Sequence, residues 1–369
     1  MATTAAPQSN LPQNLAGYDA LLIVGFGGPE KPEDVMPFLE NVVRGRPVPR
    51  ERLLEVAEHY QHFGGVSPIN AQVRELMAAL RTELDQRGVN LPLYWGNRNW
   101  HPMLEDTLKT MTEAGVKKAL SVVLAAYSSY SSCRQYRENV IAAREAAGDQ
   151  APACDKMRVY YNHPAFIAAN ADRLRTAIEQ IPPENRDVFH LAFTAHSIPS
   201  SMAQACDYEK QLLETCRLIA TELKIPRERW ELVFQSRSGR PEDPWLGPDI
   251  LEHIDSLHNY GLKNLIIHPV GFLSDHMEVM FDLDEEARHK CDSYGIHMVR
   301  SATVGTHPKF VAMMADLIIE RMNQAQDRPA IGLYPANHDV CPVNCCPAPA
   351  RPARPPAATG AGGPGRPGA

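Results

Sequence analysis

The chain has 369 residues and a formal net charge of −7 at pH 7. This length is enough for one large or two medium α/β domains, and the negative charge argues against a general nucleic-acid-binding surface. No apolar run reaches the roughly 18 residues needed to span a bilayer, and residues 1–17 lack the basic and apolar regions of a secretory signal. We therefore expect a cytoplasmic protein with at most peripheral membrane contact.

Strand-like apolar runs alternate with amphipathic helical runs along most of the chain. The predicted strands are residues 20–24, 93–95, 118–124, 158–161, 188–193, 230–234, 265–268 and 297–300. The predicted helices are residues 32–43, 50–62, 70–86, 103–113, 133–147, 166–181, 208–223, 248–260, 278–294 and 308–323. Such alternation is typical of parallel sheets covered by helices. We predict an α/β fold of two doubly wound, Rossmann-like halves with a cleft between them.

Composition and the alternation of predicted strands and helices divide the chain into five segments. We predict a disordered tail at 1–17, an N-terminal α/β half at 18–150 and a C-terminal half at 151–326. A cysteine-bearing extension follows at 327–346, and residues 347–369 form a second tail rich in Pro, Ala and Gly. Such a composition buries too little apolar surface to become ordered by itself.

A histidine and a row of carboxylates follow the predicted strand 265–268. Asp275 and His276 precede a predicted helix, on which Glu278, Asp282 and Glu286 recur at four-residue steps and so line one face. Stacked like charges cost a helix roughly 0.2–0.5 kcal/mol per pair. We expect this row of acids to serve cations or protons.

A second histidine, His196, follows the predicted strand 188–193. Ligands of doubly wound sheets bind beyond the carboxyl ends of the strands, so we expect His196 and His276 in one cleft. Taken alone, His196 is equally a loop histidine bonded to backbone. An imidazole paired with the carboxylate of Glu278 binds a borderline divalent ion such as Fe²⁺, or passes protons near neutral pH.

The glycine-rich residues 25–30 lack the third glycine of a dinucleotide fingerprint and the Lys-Ser/Thr pair of a phosphate loop. Nucleotide binding is therefore a weak alternative. Glycines also let the backbone approach a flat ligand, with Phe26 against its face, and guanidinium groups bind ligand carboxylates. The other loop side chains suited to such a ligand are Arg44, Arg46, Ser67, Arg98, Tyr127 and Trp245.

Several motifs, in order, resemble those of the ferrochelatase family, whose members insert Fe²⁺ into a porphyrin. The resemblance covers about residues 18–325, and its motifs are residues 26–29, 64–69, 194–197, 235–236, 243–248 and 271–278. It implies a chelatase-like fold and a lyase of haem biosynthesis. The positions that match His196 and Glu278 are the family's metal-site pair on opposite sides of the cleft, and the family's acidic line falls on Asp282 and Glu286.

The resemblance also implies roles. We predict His196 as proton acceptor or iron ligand and Glu278 as its partner across the ring, and the sequence leaves open which takes the pyrrole protons. Asp282 and Glu286 would conduct protons or metal, with His276 and Asp275 orienting that path. Phe26 stands where relatives have Tyr or Met and cannot ligate iron.

The porphyrin is predicted from two arginines. Arg44 and Arg46 resemble the Arg-Gly-Arg stretch of the monoderm-type branch that metallates coproporphyrin III. This porphyrin has four propionates against two in protoporphyrin IX, so it requires more cations. We predict coproporphyrin III as substrate and coproheme as product, with protoporphyrin IX as the alternative. A chelatase for cobalt or nickel and a non-catalytic porphyrin or haem carrier are more distant candidates. An iron donor and a downstream haem-pathway enzyme are suggested as partners.

Eight cysteines are present, and in a cytosolic chain they are more often free, metal-bound or reactive than paired. Some ferrochelatases carry a 2Fe–2S cluster held by three C-terminal thiolates and one from the body. By this resemblance Cys341, Cys345 and Cys346 are the C-terminal ligands and Cys133 is the fourth, with Cys154 as second choice. The alternative is a disordered tail that happens to contain cysteines.

Overall fold

In the computed structural model, residues 13–239 and 242–348 are described. Their strands form two four-stranded parallel sheets, in the orders β2-β1-β3-β4 and β6-β5-β7-β8. The strands are β1 Ala20–Gly25, β2 Leu93–Asn97, β3 Lys118–Val123, β4 Ala153–Lys156, β5 His190–His196, β6 Trp230–Gln235, β7 Asn264–His268 and β8 His297–Arg300. The strand orders of the two sheets are equivalent, and the predicted α/β class with two doubly wound halves is confirmed.

Helices cover both sheets. The α-helices are α1 Val35–Val42, α2 Arg50–His62, α3 Ile69–Gln86, α4 Leu104–Glu113, α5 Gln135–Ala147, α6 Pro164–Ile178, α7 Ser200–Gln204, α8 Tyr208–Glu222, α9 Ile250–Asn259, α10 Met277–Val279, α11 Arg288–Ser293 and α12 Pro308–Met322. Two π-helices, Tyr130–Arg134 and Met280–Ala287, precede α5 and α11. π-Helical turns are rare and frequently lie at functional sites.

Two predicted elements differ from the structure, and β4 and α7 were not predicted. The predicted strand 158–161 is wrong, because these buried residues pack in the core outside any strand and the strand is Ala153–Lys156. This strand pairs with β3, so the first sheet extends past the predicted boundary at 150. The predicted helix 278–294 is interrupted by the π-helix Met280–Ala287.

The two halves share one apolar core. The largest cluster of buried side chains includes Leu21 of the first sheet and Leu191 of the second. The last helix, α12, packs against α3 of the first half and also against α6. Neither half therefore completes its own core, and the boundaries at 326 and 346 stay predictions.

The predicted disordered tails, 1–17 and 347–369, lie mostly outside the described residues. Of the first tail, residues 13–17 are described; among them Ala16 is buried, and its N–H donates to the Met322 carbonyl at 2.9 Å. Among the described residues, no helix is long and apolar enough to cross a membrane.

The chain after α12 is tied to the second half before it reaches the C-terminal cysteines. The Leu333 N–H donates to the Glu214 carboxylate at 2.7 Å, and the Asn162 amide donates to the Tyr334 carbonyl at 2.8 Å. Gly332 has a φ of +90°, and a Cβ there would lie 2.0 Å from the Glu214 carboxylate. This contact requires glycine, so the direction in which the extension leaves is fixed.

A buried ion pair gives the first prediction. Arg158 Nε and Nη2 donate to the Glu320 carboxylate at 2.7 and 2.9 Å, with side chains 0% and 8% exposed. We expect Glu320→Ala to lower the free energy of unfolding by about 3–5 kcal/mol, because it leaves a buried guanidinium without its counter-charge. Chemical denaturation measures the change.

The matched control is Glu222→Ala. Glu222 pairs with Arg175 at 3.0 Å, but both side chains are about half exposed. Its removal should cost less than about 1 kcal/mol. Equal losses for the two variants would contradict the structural role given to Arg158 and Glu320.

Candidate active site

The site lies where the strand order of the second sheet reverses. His196 is the last residue of β5, and Glu278 lies in α10 after the neighbouring strand β7. The two chain segments come close together because Gly271 has no side chain: a Cβ there would lie 2.6 Å from the Ala195 Cβ. The Gly271 N–H donates to the Thr194 carbonyl at 3.0 Å. Carboxyl ends of strands at such a reversal are the usual ligand-binding position in this class of fold.

The predicted pair is brought together at this point. His196 Nε2 lies 3.7 Å from Glu278 Oε2, and His276 Nδ1 lies 4.0 Å from the same oxygen. The His196 and Glu278 side chains are 35% and 47% exposed, so a ligand can reach both. The expectation that His196 and Glu278 face each other across the ring stays a prediction.

The predicted acidic line continues from Glu278 along the π-helix. Asp282 accepts hydrogen bonds from the Ser236 hydroxyl and, at 3.3 Å, from Gln235 Nε2, which also donates to the Glu278 carbonyl at 3.2 Å. Burial raises the pKa of Asp282 to about 7. Burial and the nearby Asp249 also raise the pKa of Glu286. Asp282 therefore exchanges a proton readily near neutral pH.

The two remaining members of the predicted path differ. His276 Nδ1 accepts from the Glu278 N–H at 3.3 Å, and burial lowers the pKa of His276, so its ring is neutral and orients the start of α10. Asp275 is held instead by Arg300, whose Nη1 and Nη2 each donate at 3.2 Å, and its N–H donates to Gln72 Oε1 at 2.9 Å. This two-point ion pair fixes the position of Asp275, and its predicted role of orienting the path stays a prediction.

Helix α2 of the first half contributes two side chains that the sequence analysis missed. The His59 ring stacks on Phe281 of the π-helix, with centroids 3.7 Å apart. Burial and the neighbouring Glu278 raise the pKa of Tyr60, whose hydroxyl therefore stays protonated. Their sequence signal was a pair of adjacent rings near the end of the predicted helix 50–62.

Phe26 and Arg98 follow β1 and β2 of the first sheet. The Arg98 guanidinium lies 5.7 Å from the centre of the Phe26 ring and 5.3 Å from that of Tyr136. Burial lowers the pKa of Arg98, and Arg46 adds to this effect. Arg44 and Arg46 are exposed on the loop after α1, and within the described part of the chain neither forms an ion pair. Arg44 and Arg46 are therefore available to bind an acidic ligand.

The other predicted porphyrin contacts have mixed outcomes. Tyr127 is a core residue: it is 2% exposed and its hydroxyl donates to the Val270 carbonyl at 2.9 Å, so its predicted ligand contact is wrong. Ser67 is buried against Gly28, where a Cβ would lie 2.8 Å from the Ser67 Cβ. Trp245 is half-buried on a loop fixed beside the active site, because the Ser197 hydroxyl donates to the Leu246 carbonyl at 2.7 Å.

The four predicted iron–sulfur cysteines also converge, at a place we call the cysteine site: Cys133, Cys341, Cys345 and Cys346. The Cys133 thiol hydrogen-bonds to Cys341, which lowers the pKa of Cys341. The Cys345 and Cys346 sulfurs are 3.5 Å apart. Cys154, the second choice, instead donates to the Pro152 carbonyl at 3.5 Å.

The raised pKa of Asp282 gives a prediction for stability. The folded state holds a proton on Asp282 that the unfolded state releases above about pH 4, so this residue destabilises the fold as pH rises from about 4 to 7. Relative to the wild type, Asp282→Asn should gain stability across that interval, on the order of 4 kcal/mol at pH 8. Chemical denaturation between pH 4 and 8 measures this; parallel curves for the two proteins would contradict it.

Comparisons with known proteins agree with this arrangement. The family model "Ferrochelatase" matches residues 18–322. A "Ferrochelatase" of Rhodopirellula baltica is 54% identical, over 90% of this chain and 94% of its own length. A "Coproporphyrin III ferrochelatase" of Streptomyces coelicolor is 48% identical over the same fractions, and one of Mycolicibacterium smegmatis is 46% identical over 86% and 94%.

Solved structures extend the likeness of fold. SirB from Bacillus subtilis, determined with Fe³⁺, aligns with a TM-score of 0.53 at 14% identity, covering 84% of this chain and 98% of SirB. At that identity only the fold is shared. The family match and the relatives together establish that this chain belongs to the ferrochelatase family.

Proposed function

We propose that this protein is a lyase of haem biosynthesis that inserts Fe²⁺ into coproporphyrin III and releases coproheme. The proposal rests on the solvent-accessible His196–Glu278 pair, whose Nε2 and Oε2 atoms lie 3.7 Å apart. Next along the acidic line is the carboxyl group of Asp282, whose pKa is about 7. The names of the relatives from Streptomyces coelicolor and Mycolicibacterium smegmatis support the choice of porphyrin.

The hydrogen bond of His196 Nδ1 indicates which ring nitrogen can accept a proton. Its Nδ1 bonds to the Ser197 carbonyl. Because a carbonyl only accepts hydrogen bonds, Nδ1 carries the ring proton and Nε2 keeps a free lone pair. Nε2 faces Glu278, so we assign Nε2 as the acceptor of the pyrrole protons and Glu278 as the next acceptor.

Protons then leave along the acidic line. Gln235 donates to the backbone carbonyl of Glu278 and to the carboxylate of Asp282, and Glu286 lies one step further along the helix. Asp282, with its pKa near 7, releases what it receives without a large free-energy step. Two protons leave as one Fe²⁺ enters, so the site accumulates no net charge. This balance matters because an uncompensated charge in a partly buried site is costly.

Cations at the entrance select the porphyrin. Arg44 and Arg46 lie on one loop, and Arg98 lies near Arg46 and beside the ring of Phe26. Guanidinium groups bind propionates through two parallel hydrogen bonds. We propose that these arginines hold the propionates, with Phe26 and Trp245 against the macrocycle and Ser67 supporting the Gly28 turn. Binding of the propionates also provides free energy for bending the macrocycle.

Substrate preference tests this assignment. We expect kcat/KM with Fe²⁺ to be at least about tenfold higher for coproporphyrin III than for protoporphyrin IX, which corresponds to about 1.4 kcal/mol from the extra propionates. The variant Arg46→Gln should lose most of that preference. A preference for protoporphyrin IX would favour the alternative substrate and overturn the choice of porphyrin.

Replacing the acceptor tests catalysis itself. His196→Ala should lower the rate of metal insertion by about 10²–10⁴-fold, while quenching of porphyrin fluorescence on binding persists. The control is His258→Ala, since His258 is exposed and stacks on Tyr294 away from the pair. Unchanged turnover in His196→Ala would contradict the mechanism, and wild-type protein that binds porphyrin without consuming it would indicate a carrier.

We also propose that the cysteine site holds a 2Fe–2S cluster, which supplies a one-electron redox centre when bound. The fit rests on the convergence of Cys133 with three cysteines of the extension, and on the lowered pKa of Cys341, to which the Cys133 thiol contributes most and the charge of Lys156 adds, so that Cys341 favours the thiolate. The structure adds one further donor, the imidazole of His338, beside the predicted cysteines. A cytoplasmic location, an iron donor and a downstream pathway enzyme stay predictions.

The cluster is tested by absorbance of anaerobically purified protein. Visible cluster bands should be present in the wild type and absent in Cys345→Ser. Cys154→Ser is the matched control and should keep them, because Cys154 lies on β4 and does not contact the cysteine site. Loss of the bands in Cys154→Ser with retention in Cys345→Ser would reverse the assignment.

A further inference from the structure

One imidazole lies among the thiols of the cysteine site. His338 Nε2 is 3.9 Å from Cys345 Sγ, and one ligand atom each from His338, Cys341 and Cys345 lie within 4.8 Å of one another. With metal–sulfur and metal–nitrogen bonds of about 2.3 and 2.1 Å, donors on one tetrahedral metal lie about 3.6 Å apart. The imidazole and the Cys345 thiol therefore need to approach by only about 0.3 Å to share a metal.

Contacts on both sides hold His338 in this position. The Asn337 amide donates to the Ser128 hydroxyl at 3.2 Å, and the Asp339 carboxylate pairs with Arg328 at 3.1 Å. The residues before and after His338 are thus tied to the body of the protein and to the extension. An exposed side chain between two such anchors keeps its direction without being buried.

The opposite edge of the site is fixed by Arg134, which follows Cys133. Arg134 Nη1 donates to the carbonyls of Val343 and Cys345 at 3.0 and 2.9 Å. The Cys345 N–H closes a turn onto the Pro342 carbonyl at 3.0 Å. Cys133 and Cys345 are therefore held in one rigid unit. Cys133 also hydrogen-bonds to Cys341.

Cys346 is placed differently. Its sulfur is 3.5 Å from that of Cys345, yet it is not part of the His338–Cys341–Cys345 group. Its backbone has a φ of +49°, which is costly for a residue other than glycine, and its side chain is buried. His338, in contrast, reaches the site from a separate turn that is anchored through Asn337 and Asp339.

We propose that His338 is a metal ligand at the cysteine site, together with Cys133, Cys341 and Cys345, and that Cys346 is not a ligand. The identity of the metal group as a 2Fe–2S cluster rests on the proposed function, but ligation by His338 does not. Three thiolates and one neutral imidazole leave the group one unit less negative than four thiolates. Histidine in place of cysteine raises the reduction potential of such clusters.

The first experiment is independent of the cluster. Metal-free protein is titrated with Co²⁺ while thiolate-to-cobalt charge-transfer absorption is recorded, a signal that the His196–Glu278 site, which has no thiol, does not produce. His338→Ala should weaken this binding at least about tenfold, whereas Cys346→Ser should match the wild type. Unchanged binding in His338→Ala with loss in Cys346→Ser would overturn the proposal.

The second experiment uses the reduced cluster. Protein labelled with ¹⁵N-histidine should show strong nitrogen hyperfine coupling by pulsed electron paramagnetic resonance in the wild type and in Cys346→Ser. His338→Cys should keep a cluster but lose the coupling and have a lower reduction potential. A wild-type cluster without nitrogen coupling would overturn ligation by His338 while leaving the cluster intact. If no cluster is found, the proposed cofactor fails, and the Co²⁺ titration decides on His338 by itself.

Discussion

The active site depends on the close approach of two chain segments at Gly271. Without a side chain there, the loop after β7 lies against Ala195, and the His196 and Glu278 side chains come within 3.7 Å. Any larger residue would push the loop outward and separate His196 from Glu278. The geometry of the site therefore depends on backbone packing beneath these two side chains as much as on the side chains themselves.

The architecture was predictable because it is encoded locally. Fully buried parallel strands appear as short apolar runs, and seven of the eight predicted strands overlap strands of the structure. The exception, residues 158–161, shows the limit of this signal. Their side chains are buried outside any strand, and Arg158 among them forms an ion pair with Glu320. An apolar run indicates burial and does not state what the residues pack against.

The site was predictable in composition but only partly in geometry. Motif spacing identified His196 and Glu278, because each lies at or shortly after a strand end, and Asp282, because it follows Glu278 by four residues on the helix. It could not show that His196 and Glu278 come within 3.7 Å of each other, that Arg300 holds Asp275, or that Tyr127 is in the core, since these depend on contacts between distant segments. Helix α2 reaches the site only through the tertiary packing of His59 and Phe281.

The placement of α12 has a consequence for how the chain matures. This last helix covers α3, so the first half has an uncovered apolar surface until nearly the whole polypeptide has been synthesised. Domains of many proteins fold one after another as they leave the ribosome. Here the apolar surface of α3 stays uncovered until α12 has been synthesised, and a chain truncated before α12 leaves that surface exposed to solvent.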